Sequence, residues 1–371
     1  MKQSSVMVIG GGIHGLTTAI ALAEEGVNVI LLEKKPGLFQ GTSGSTHNRA
    51  HMGYHYPRST ETAIECLKGL DYFKNKYPQA LIWPKEGYYV IAKEDSNTTK
   101  EGYIAACKEM GIPCTMKWPS PDLLSKDAIS SSFLVPEPIF DTELLCNLLE
   151  KEALEKNVSI KKGSEVVQSE RKPNGAYKVT AQEGNKKTDY IADIVINSTY
   201  AYANNILKIF GLEKYMTKYR LQVTEVVVVE SDINIPPLTI MDGPFMSIMP
   251  YGGHKNQFLV YDVVNSTADE KEAYLYDDSI IHRSNWEKMV EKGKKFFPFM
   301  HKLKYAGSLW GARPIPIDNK VQSRKTRLKK YESSPGFYSI LEGKFISAPL
   351  IANELKDLIK NDELLNNNSL K

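Results

Sequence analysis

Three histidines and two arginines fall within twelve residues of this 371-residue chain, in the segment 47–58. They are His47, His51, His55, Arg49 and Arg58. An imidazole titrates near neutral pH, which suits a side chain that accepts a proton during a reaction. The segment therefore predicts the polar wall of a substrate site. A hydrogen-bonded loop with surface histidines is the alternative.

A glycine motif near the start could bind a phosphate group. Gly10, Gly12 and Gly15 are spaced as G-x-G-x-x-G between an apolar run at 6–9 and a helical pattern that ends at Gly26. A second apolar run at 29–32 ends in Glu33, 18 residues after Gly15. This βαβ unit predicts dinucleotide binding, with the diphosphate at the helix N-terminus and ribose hydroxyls on Glu33. The motif alone leaves NAD and FAD open.

Composition excludes several classes of protein. Lys+Arg 47 and Asp+Glu 44 leave a net charge of +3, which disfavours a dedicated nucleic-acid binder. The sequence has no uninterrupted apolar run long enough to span a membrane. The four cysteines include no C-x-x-C pair, so neither a disulfide framework nor a metal site is expected. A cytoplasmic location is predicted.

Periodicity places the other elements. Helices are predicted over 59–77, 98–110, 140–156, 277–297 and 348–359, with Asp141 or Thr142 as the N-cap of the third. Strands are predicted over 87–92, 158–167, 191–198, 221–230, 245–250, 258–264 and 337–341. A hairpin at 320–330 is basic and is expected to be a solvated loop, with an acidic partner as the alternative.

The glycine motif and its surroundings resemble a known family. Residues 8–15 together with 32–34 are similar to the FAD-dependent D-amino-acid oxidase superfamily, which includes glycine and sarcosine oxidases and L-2-hydroxyglutarate dehydrogenase. Weaker matches follow in order at 41–45, 139–141, 193–197, 311–314, 335–338 and 343–344. Tyr200 departs from the pattern, because the family has glycine there.

The resemblance implies FAD as the cofactor. The residues that match its cofactor-binding segments are Gly10, Gly12, Ile13, His14, Gly15, Glu33, Lys34, Ser43, Ser45, Val166, Gly343 and Lys344. The helix that follows Lys344 would stabilise negative charge on the reduced flavin.

Three residues are implied in catalysis. His51-x-Gly53-x-x-Tyr56 is similar to a motif of the hydroxyglutarate dehydrogenase branch, which implies that His51 is the base for a hydroxyl. Arg49 resembles an arginine that lies beside the flavin in sarcosine oxidases. Arg313 resembles the arginine that binds a substrate carboxylate with its planar guanidinium. Tyr251 and Tyr261 are candidates for the roof of the site, or else packing residues.

The fold expected from the resemblance is α/β with an α+β second lobe. A Rossmann-type FAD-binding domain, at 1–80, 136–215 and 306–371, is interleaved with an antiparallel-sheet substrate domain at 81–135 and 216–305.

The implied function is an FAD-dependent oxidoreductase. It would remove a hydride from the carbon that bears an amine or hydroxyl in a small carboxylate-containing substrate. The alternatives are a 2-hydroxy-acid dehydrogenase, which His51 favours, and an FAD-binding protein without turnover, which Tyr200 favours. A small amino or hydroxy acid is the expected partner, without nucleic acid or a membrane segment. Substrate, electron acceptor and oligomeric state stay open.

Overall fold

The computed structural model describes residues 5–278, 282–317, 326–341 and 343–362. The α-helices of this part of the chain are α1 (Ile13–Ala23), α2 (Thr60–Lys76), α3 (Lys100–Glu109), α4 (Thr142–Glu155), α5 (Ala203–Ile209), α6 (Trp286–Gly293) and α7 (Ala348–Asn361).

The strands divide among four sheets. They are β1 (Ser5–Ile9), β2 (Asn28–Glu33), β3 (Leu81–Ile82), β4 (Tyr88–Ala92), β5 (Thr115–Met116), β6 (Ile129–Leu134), β7 (Ile139–Phe140), β8 (Ser159–Lys162), β9 (Ser164–Arg171), β10 (Tyr177–Glu183), β11 (Lys186–Ala192), β12 (Ile194–Asn197), β13 (Tyr219–Glu230), β14 (Leu238–Met241), β15 (Met246–Pro250), β16 (Gln257–Asp262), β17 (Thr267–Ala273), β18 (Lys304–Pro316), β19 (Arg327–Lys330) and β20 (Phe337–Leu341).

A six-stranded sheet carries the glycine motif, in the order β19-β20-β12-β1-β2-β8. All neighbours are parallel except β19 and β20. Buried residues of β1 and α1, among them Val6, Leu16 and Ile20, pack in one core with α4 and α7. Such a doubly wound sheet binds ligands at the carboxyl ends of its strands, and the glycines of the β1–α1 turn lie there.

A nine-stranded sheet forms the second lobe. Its strands β17-β13-β16-β15-β14-β4-β6-β5 follow in that order, and β18 also pairs with β13. Every pair is antiparallel except β4 and β14. A three-stranded sheet β11-β10-β9 and the short pair β3-β7 complete the architecture. The predicted fold class is confirmed, whereas the residue bounds of the two domains stay a prediction.

Most of the predicted elements are present within a few residues of their expected ends. Asp141 is the N-cap of α4, because its side chain accepts a hydrogen bond from the Leu144 N–H at 2.9 Å. The expected strand 158–167 is two strands, β8 and β9, which meet at Gly163 with φ of +69°. A positive φ costs glycine little, so the chain can turn between them there.

The helix predicted over 277–297 is wrong at its start, because residues 277–278 and 282–285 are not helical and α6 begins at Trp286, while residues 279–281 lie outside the described residues. The backbone at Tyr276 is instead bonded to α5. The Asn205 side chain accepts from the Tyr276 N–H at 3.1 Å and donates to the Tyr276 carbonyl at 3.0 Å. The Tyr276 carbonyl, which would accept the first hydrogen bond of a helix over 277–297, is thus bonded to Asn205 instead.

Residues 320–325 of the predicted basic hairpin lie outside the described residues, and its remainder forms β19. In β19 the Lys330 ammonium pairs with Asp362. No α-helix in the described ranges combines the length and the apolar character that crossing a membrane requires.

Candidate functional site

A cavity of about 1210 Å³ is lined by residues of both large sheets. Its wall contains every residue predicted to bind the cofactor or to act in catalysis except Gly15: Gly10, Gly12, Ile13, His14, Glu33, Lys34, Ser43, Ser45, Arg49, His51, Val166, Arg313, Gly343 and Lys344. Gly15 lies behind this wall, where α1 packs on the turn. The folded chain therefore places the glycine motif and the histidine-rich segment on the wall of the same cavity.

The turn between β1 and α1 requires its glycines for steric reasons. Gly10 has φ of +107°. A Cβ atom on Gly12 would lie 2.9 Å from the Ser43 Oγ, and one on Gly15 would lie 1.8 Å from the Gly10 carbonyl oxygen. The close approach of α1 to this turn is possible only without side chains.

Glu33 fixes the same turn from the end of β2. Its carboxylate accepts the Gly11 N–H at 2.6 Å and the Lys35 N–H at 2.7 Å. A carboxylate has about four acceptor positions, so the predicted bonds from ribose hydroxyls remain available. The structure thus gives Glu33 a structural role beside the predicted one.

The N-terminus of α1 faces the cavity. Gly12, its N-cap, offers no side chain, and the Ile13 N–H donates to the Ser43 hydroxyl at 3.0 Å. The first N–H groups of a helix have no partner within the helix and carry partial positive charge. This end of α1 therefore suits an anionic group such as a diphosphate.

Two buried polar side-chain atoms of this region have no hydrogen-bond partner among the described residues. They are His14 Nδ1 and Thr326 Oγ1. A Cβ atom on Gly343 would lie 2.5 Å from Thr326 Oγ1 and 2.8 Å from His14 Nε2. Buried polar atoms without partners are costly, and His14 lines the cavity, so its Nδ1 suits a polar group of a bound ligand.

Tyr200, the departure from the family pattern, has φ of +54°. The backbone there adopts the left-handed conformation that glycine favours, although a tyrosine occupies the position. Tyr200 also lines the cavity. The substitution therefore preserves the local course of the chain.

His47 is held as a neutral ring. Its Nε2–H donates to the Leu259 carbonyl at 3.0 Å, and its Nδ1 lies 3.3 Å from the Ser247 hydroxyl. Burial, together with the charge of Arg49, lowers the pKa of His47 to about 3. A proton acceptor of such low basicity contributes little near neutral pH, so His47 packs the site.

His51 lies among aromatic rings on the cavity wall. Its ring centre is 5.6 Å from that of His55 and 5.3 Å from that of Tyr56. Gly53, with φ of +103°, turns the chain between His51 and Tyr56, so the residues of the His51-x-Gly53-x-x-Tyr56 motif bring these two rings together. The role of His51 as a base stays a prediction.

Arg49 is buried in a polar network. Its guanidinium donates to Tyr89 at 2.6 Å, to Glu137 at 3.2 Å and to Thr239 at 2.7 Å. The other carboxylate oxygen of Glu137 accepts the Met52 N–H at 2.8 Å. The charge of Arg49 is thus matched within the protein, and the network joins the histidine-rich segment to strands β4 and β14.

Arg313 differs from Arg49 because its partners are neutral. It donates from Nε to the Gln222 carbonyl oxygen at 2.8 Å and from Nη1 to Tyr261 at 3.4 Å, and its Nη2 also donates to Gln222. Within the described ranges it forms no ion pair. Three of its five N–H donors are used, which leaves one on each terminal nitrogen. This pair can bind a carboxylate in the cavity.

The two candidate roof tyrosines differ in position. Tyr261 lines the cavity beside Arg313, whereas Tyr251 is absent from its wall and stacks on His254 with ring centres 4.0 Å apart. Tyr251 is therefore a packing residue. Lys34 and Lys344 line the cavity but pair with carboxylates, Asp278 at 3.1 Å and Glu65 at 3.6 Å.

The sequence analysis missed Glu137. This residue lies between two prolines in the largely apolar stretch 133–140. A single acid in such a stretch is a signal, because buried carboxylates are normally paired. Its partner could not be inferred, since Arg49 is 88 residues away along the chain.

The chain matches, over residues 5–358, the family described as FAD dependent oxidoreductase. The chain belongs to this family. It is an FAD-dependent oxidoreductase, so the alternative of an FAD-binding protein without turnover is set aside. Its cofactor fits the observed wall, because the glycine turn, the α1 N-terminus and the unpartnered Nδ1 of His14 provide for polar groups.

Curated relatives of this chain are named for different activities. Subunit A1 of the anaerobic glycerol-3-phosphate dehydrogenase of Haloferax volcanii is 26% identical over 96% of this chain and 63% of its own. The first three curated relatives are matched over 26% to 63% of their length.

Solved structures share the fold. Glycine oxidase from Geobacillus kaustophilus has a TM-score of 0.72 at 16% identity, over 96% of this chain and 94% of its own. L-alpha-glycerophosphate oxidase from Mycoplasma pneumoniae has a TM-score of 0.71 at 19% identity, over 99% and 95%.

Buried histidines predict a pH dependence of stability. Burial lowers the pKa of His14 from 6.5 to about 4, and burial with the Arg49 charge lowers that of His47 to about 3. Below pH 6.5 the unfolded chain binds protons that the folded chain does not, so stability falls as pH falls toward these values. Each histidine should lower the free energy of unfolding by about 1 kcal/mol when the pH falls from about 7.5 to about 5.5.

Urea unfolding of wild type and His47→Gln at both pH values measures this effect. The free energy of unfolding that is lost between the two pH values should be smaller in His47→Gln than in wild type by about 1 kcal/mol. Replacement of the exposed His301 by glutamine is the control and should leave the loss unchanged. Equal losses in His47→Gln and wild type would contradict the assignment of a neutral His47.

Proposed function

We propose that this enzyme oxidises a small carboxylate-containing substrate at the carbon that bears an amine or a hydroxyl. Arg313 carries the proposal, because it is a guanidinium on the cavity wall with neutral partners and two N–H donors left over. A carboxylate bound there would be held by a bidentate, charge-assisted contact. When bound, FAD takes up the hydride that the substrate loses.

The chain's own residues orient the substrate. Arg313 projects from β18, in register with Gln222 on β13, and Gln222 holds its Nε and Nη2. A fixed guanidinium confines the carboxylate end, so the reacting carbon is presented in one direction. An amine that binds uncharged needs no strong base, whereas a hydroxyl needs an acceptor for its proton.

Oxidation of a 2-hydroxy acid is the second candidate. The ring of His51 on the cavity wall favours it, because a substrate hydroxyl would have a proton acceptor there. The dehydrogenase subunit A1 of Haloferax volcanii is named for glycerol 3-phosphate, which is an alcohol. This name also supports a substrate that is oxidised at a hydroxyl-bearing carbon. The two candidates share the anion site at Arg313.

Anaerobic reduction of the flavin tests the proposal. The holoenzyme is mixed with amino acids, 2-hydroxy acids, amino sugars and glycerol 3-phosphate, and the visible flavin band is followed. Bleaching by an amino or hydroxy acid is expected. Bleaching only by a compound without a carboxylate would overturn the proposal.

Replacement of His51 by alanine separates the two candidates. If the substrate is a hydroxy acid, the rate of flavin reduction should fall by about 100-fold or more, the usual contribution of a general base. If it is an amine bound in its neutral form, the rate should stay within about threefold. His254→Ala, a histidine outside the cavity wall, is the control and should leave the rate unchanged.

A further inference from the structure

The lysines and arginines of the described cavity wall are nearly all paired with carboxylates. Arg313 is the exception in this part of the chain. The ion pairs are Lys34 and Lys35 with Asp278, Arg49 with Glu137, Arg58 with Asp242, and Lys344 with Glu65. The wall therefore presents one cation, Arg313, whose charge is not matched by a carboxylate of the described residues.

Of these ion pairs, Arg49 with Glu137 is the most deeply buried. The side chains are 6% and 4% exposed, against 62% for Arg58 in its pair with Asp242. Removal of the Asp242 charge would leave the exposed Arg58 guanidinium unpaired, and solvent screens a charge at such a position, so the potential inside the cavity would change little. Removal of the Glu137 charge would leave an unscreened cation in a medium of low dielectric constant.

Glu137 is bonded as a carboxylate. Its two oxygens accept from the Met52 N–H, the Tyr89 hydroxyl and the Arg49 guanidinium. Burial raises the pKa of Glu137 above its ordinary value, and the charge of Arg49 and these donated hydrogen bonds oppose that rise. Because these three neighbours donate and a protonated acid would need an acceptor, the ionised form of Glu137 is the one that the network satisfies.

Arg49 keeps donors that could serve a ligand. Of its five N–H groups, both on Nη1 and one on Nη2 are used, which leaves Nε and the second on Nη2. Arg49 also forms part of the cavity wall. Its geometry would therefore permit anion binding, and the matching charge of Glu137 opposes it.

We infer that Glu137 determines the specificity of the site: it cancels the charge of Arg49, so that Arg313 is the single anion anchor among the described residues of the wall and substrates with one anionic group are preferred. The inference rests on the proposed function, since it assumes that a substrate anion binds Arg313. The second charge of a dicarboxylate or of a phosphate dianion would find no second unmatched cation on the described part of the wall.

Ligand binding to the wild-type holoenzyme provides the first test. Acetate and propionate are compared with malonate, succinate and glycerol 3-phosphate by the change in the flavin absorption band and by competition with substrate. The monocarboxylates should bind about tenfold more tightly than the dianions at equal ionic strength, which corresponds to about 1.4 kcal/mol. This comparison needs no variant and so does not depend on whether one folds.

Glu137→Gln provides the second test. The amide keeps an oxygen for the Met52 N–H but removes the charge, so the preference should shift toward malonate or succinate by about tenfold or more. The double variant Arg49→Gln/Glu137→Gln adds no net charge and should restore the wild-type preference. Asp242→Asn, which removes the carboxylate beside exposed Arg58, should shift the preference by less than threefold.

The outcomes separate this inference from the proposed function. Dianions that bind wild type as tightly as monocarboxylates, or a folded Glu137→Gln variant with unchanged preference, would overturn the inference alone. If no carboxylate binds wild type, or if Arg313→Gln binds carboxylates as wild type does, the proposed function fails too. A preference for monocarboxylates that reverses in Glu137→Gln and returns in the double variant supports both.

Discussion

Replacing Gly15 by alanine is expected to yield a destabilised protein without FAD. The added Cβ would lie 1.8 Å from the Gly10 carbonyl oxygen and 2.9 Å from Ser198 Oγ, so α1 must move away from β1. Ser198 donates to the carbonyl oxygens of Ile9 and Gly10, and these bonds would be strained as well. Backbone clashes of this kind should lower the unfolding free energy by about 3 kcal/mol or more.

Two measurements check this expectation. The FAD content of the purified variant follows from its visible spectrum, and urea unfolding gives the change in stability. Gly87→Ala is a matched control, because its Cβ would meet its nearest neighbour, the Val135 carbonyl oxygen, at an ordinary contact distance of 3.4 Å. A Gly15→Ala protein that keeps FAD in stoichiometric amount would contradict the assignment of this turn as a cofactor site.

The parts of the fold that were predictable depend on short-range patterns. The β1–α1–β2 unit follows from apolar periodicity and from glycines whose steric role can be read locally. Asp141 was predictable as an N-cap because a cap bonds to the helix three residues away. These features require no knowledge of the rest of the chain.

The parts that could not be predicted depend on long-range partners. The helix expected at 277 is displaced to Trp286, and Asn205 on α5 holds Tyr276 in its place. Arg49 was expected beside the flavin, but its charge balance depends on Glu137, which the sequence pattern does not connect to it. Nothing local to Arg49 and Arg313 distinguishes a paired guanidinium from an unmatched one. Only the assembled fold does.

Replacement of Arg313 by glutamine should raise the KM of a carboxylate substrate by a factor of about 100 to 1000. The variant loses a charge-assisted bidentate contact, which typically contributes about 3 to 4 kcal/mol. The fold should persist, because the partners of Arg313 are the neutral residues Gln222 and Tyr261 and no ion pair is broken. Steady-state kinetics with the substrate found by flavin bleaching measures the effect.

The same measurement on Arg58→Gln supplies the matched control. Arg58 also lines the cavity, but it is 62% exposed and paired with Asp242, so its loss should change the KM by less than about threefold. Arg313→Lys keeps the charge without the planar pair of donors and should fall between the two. If Arg313→Gln and Arg58→Gln raise the KM equally, the substrate anion is attracted by the overall charge of the cavity. The unmatched guanidinium of Arg313 would then not be its anchor.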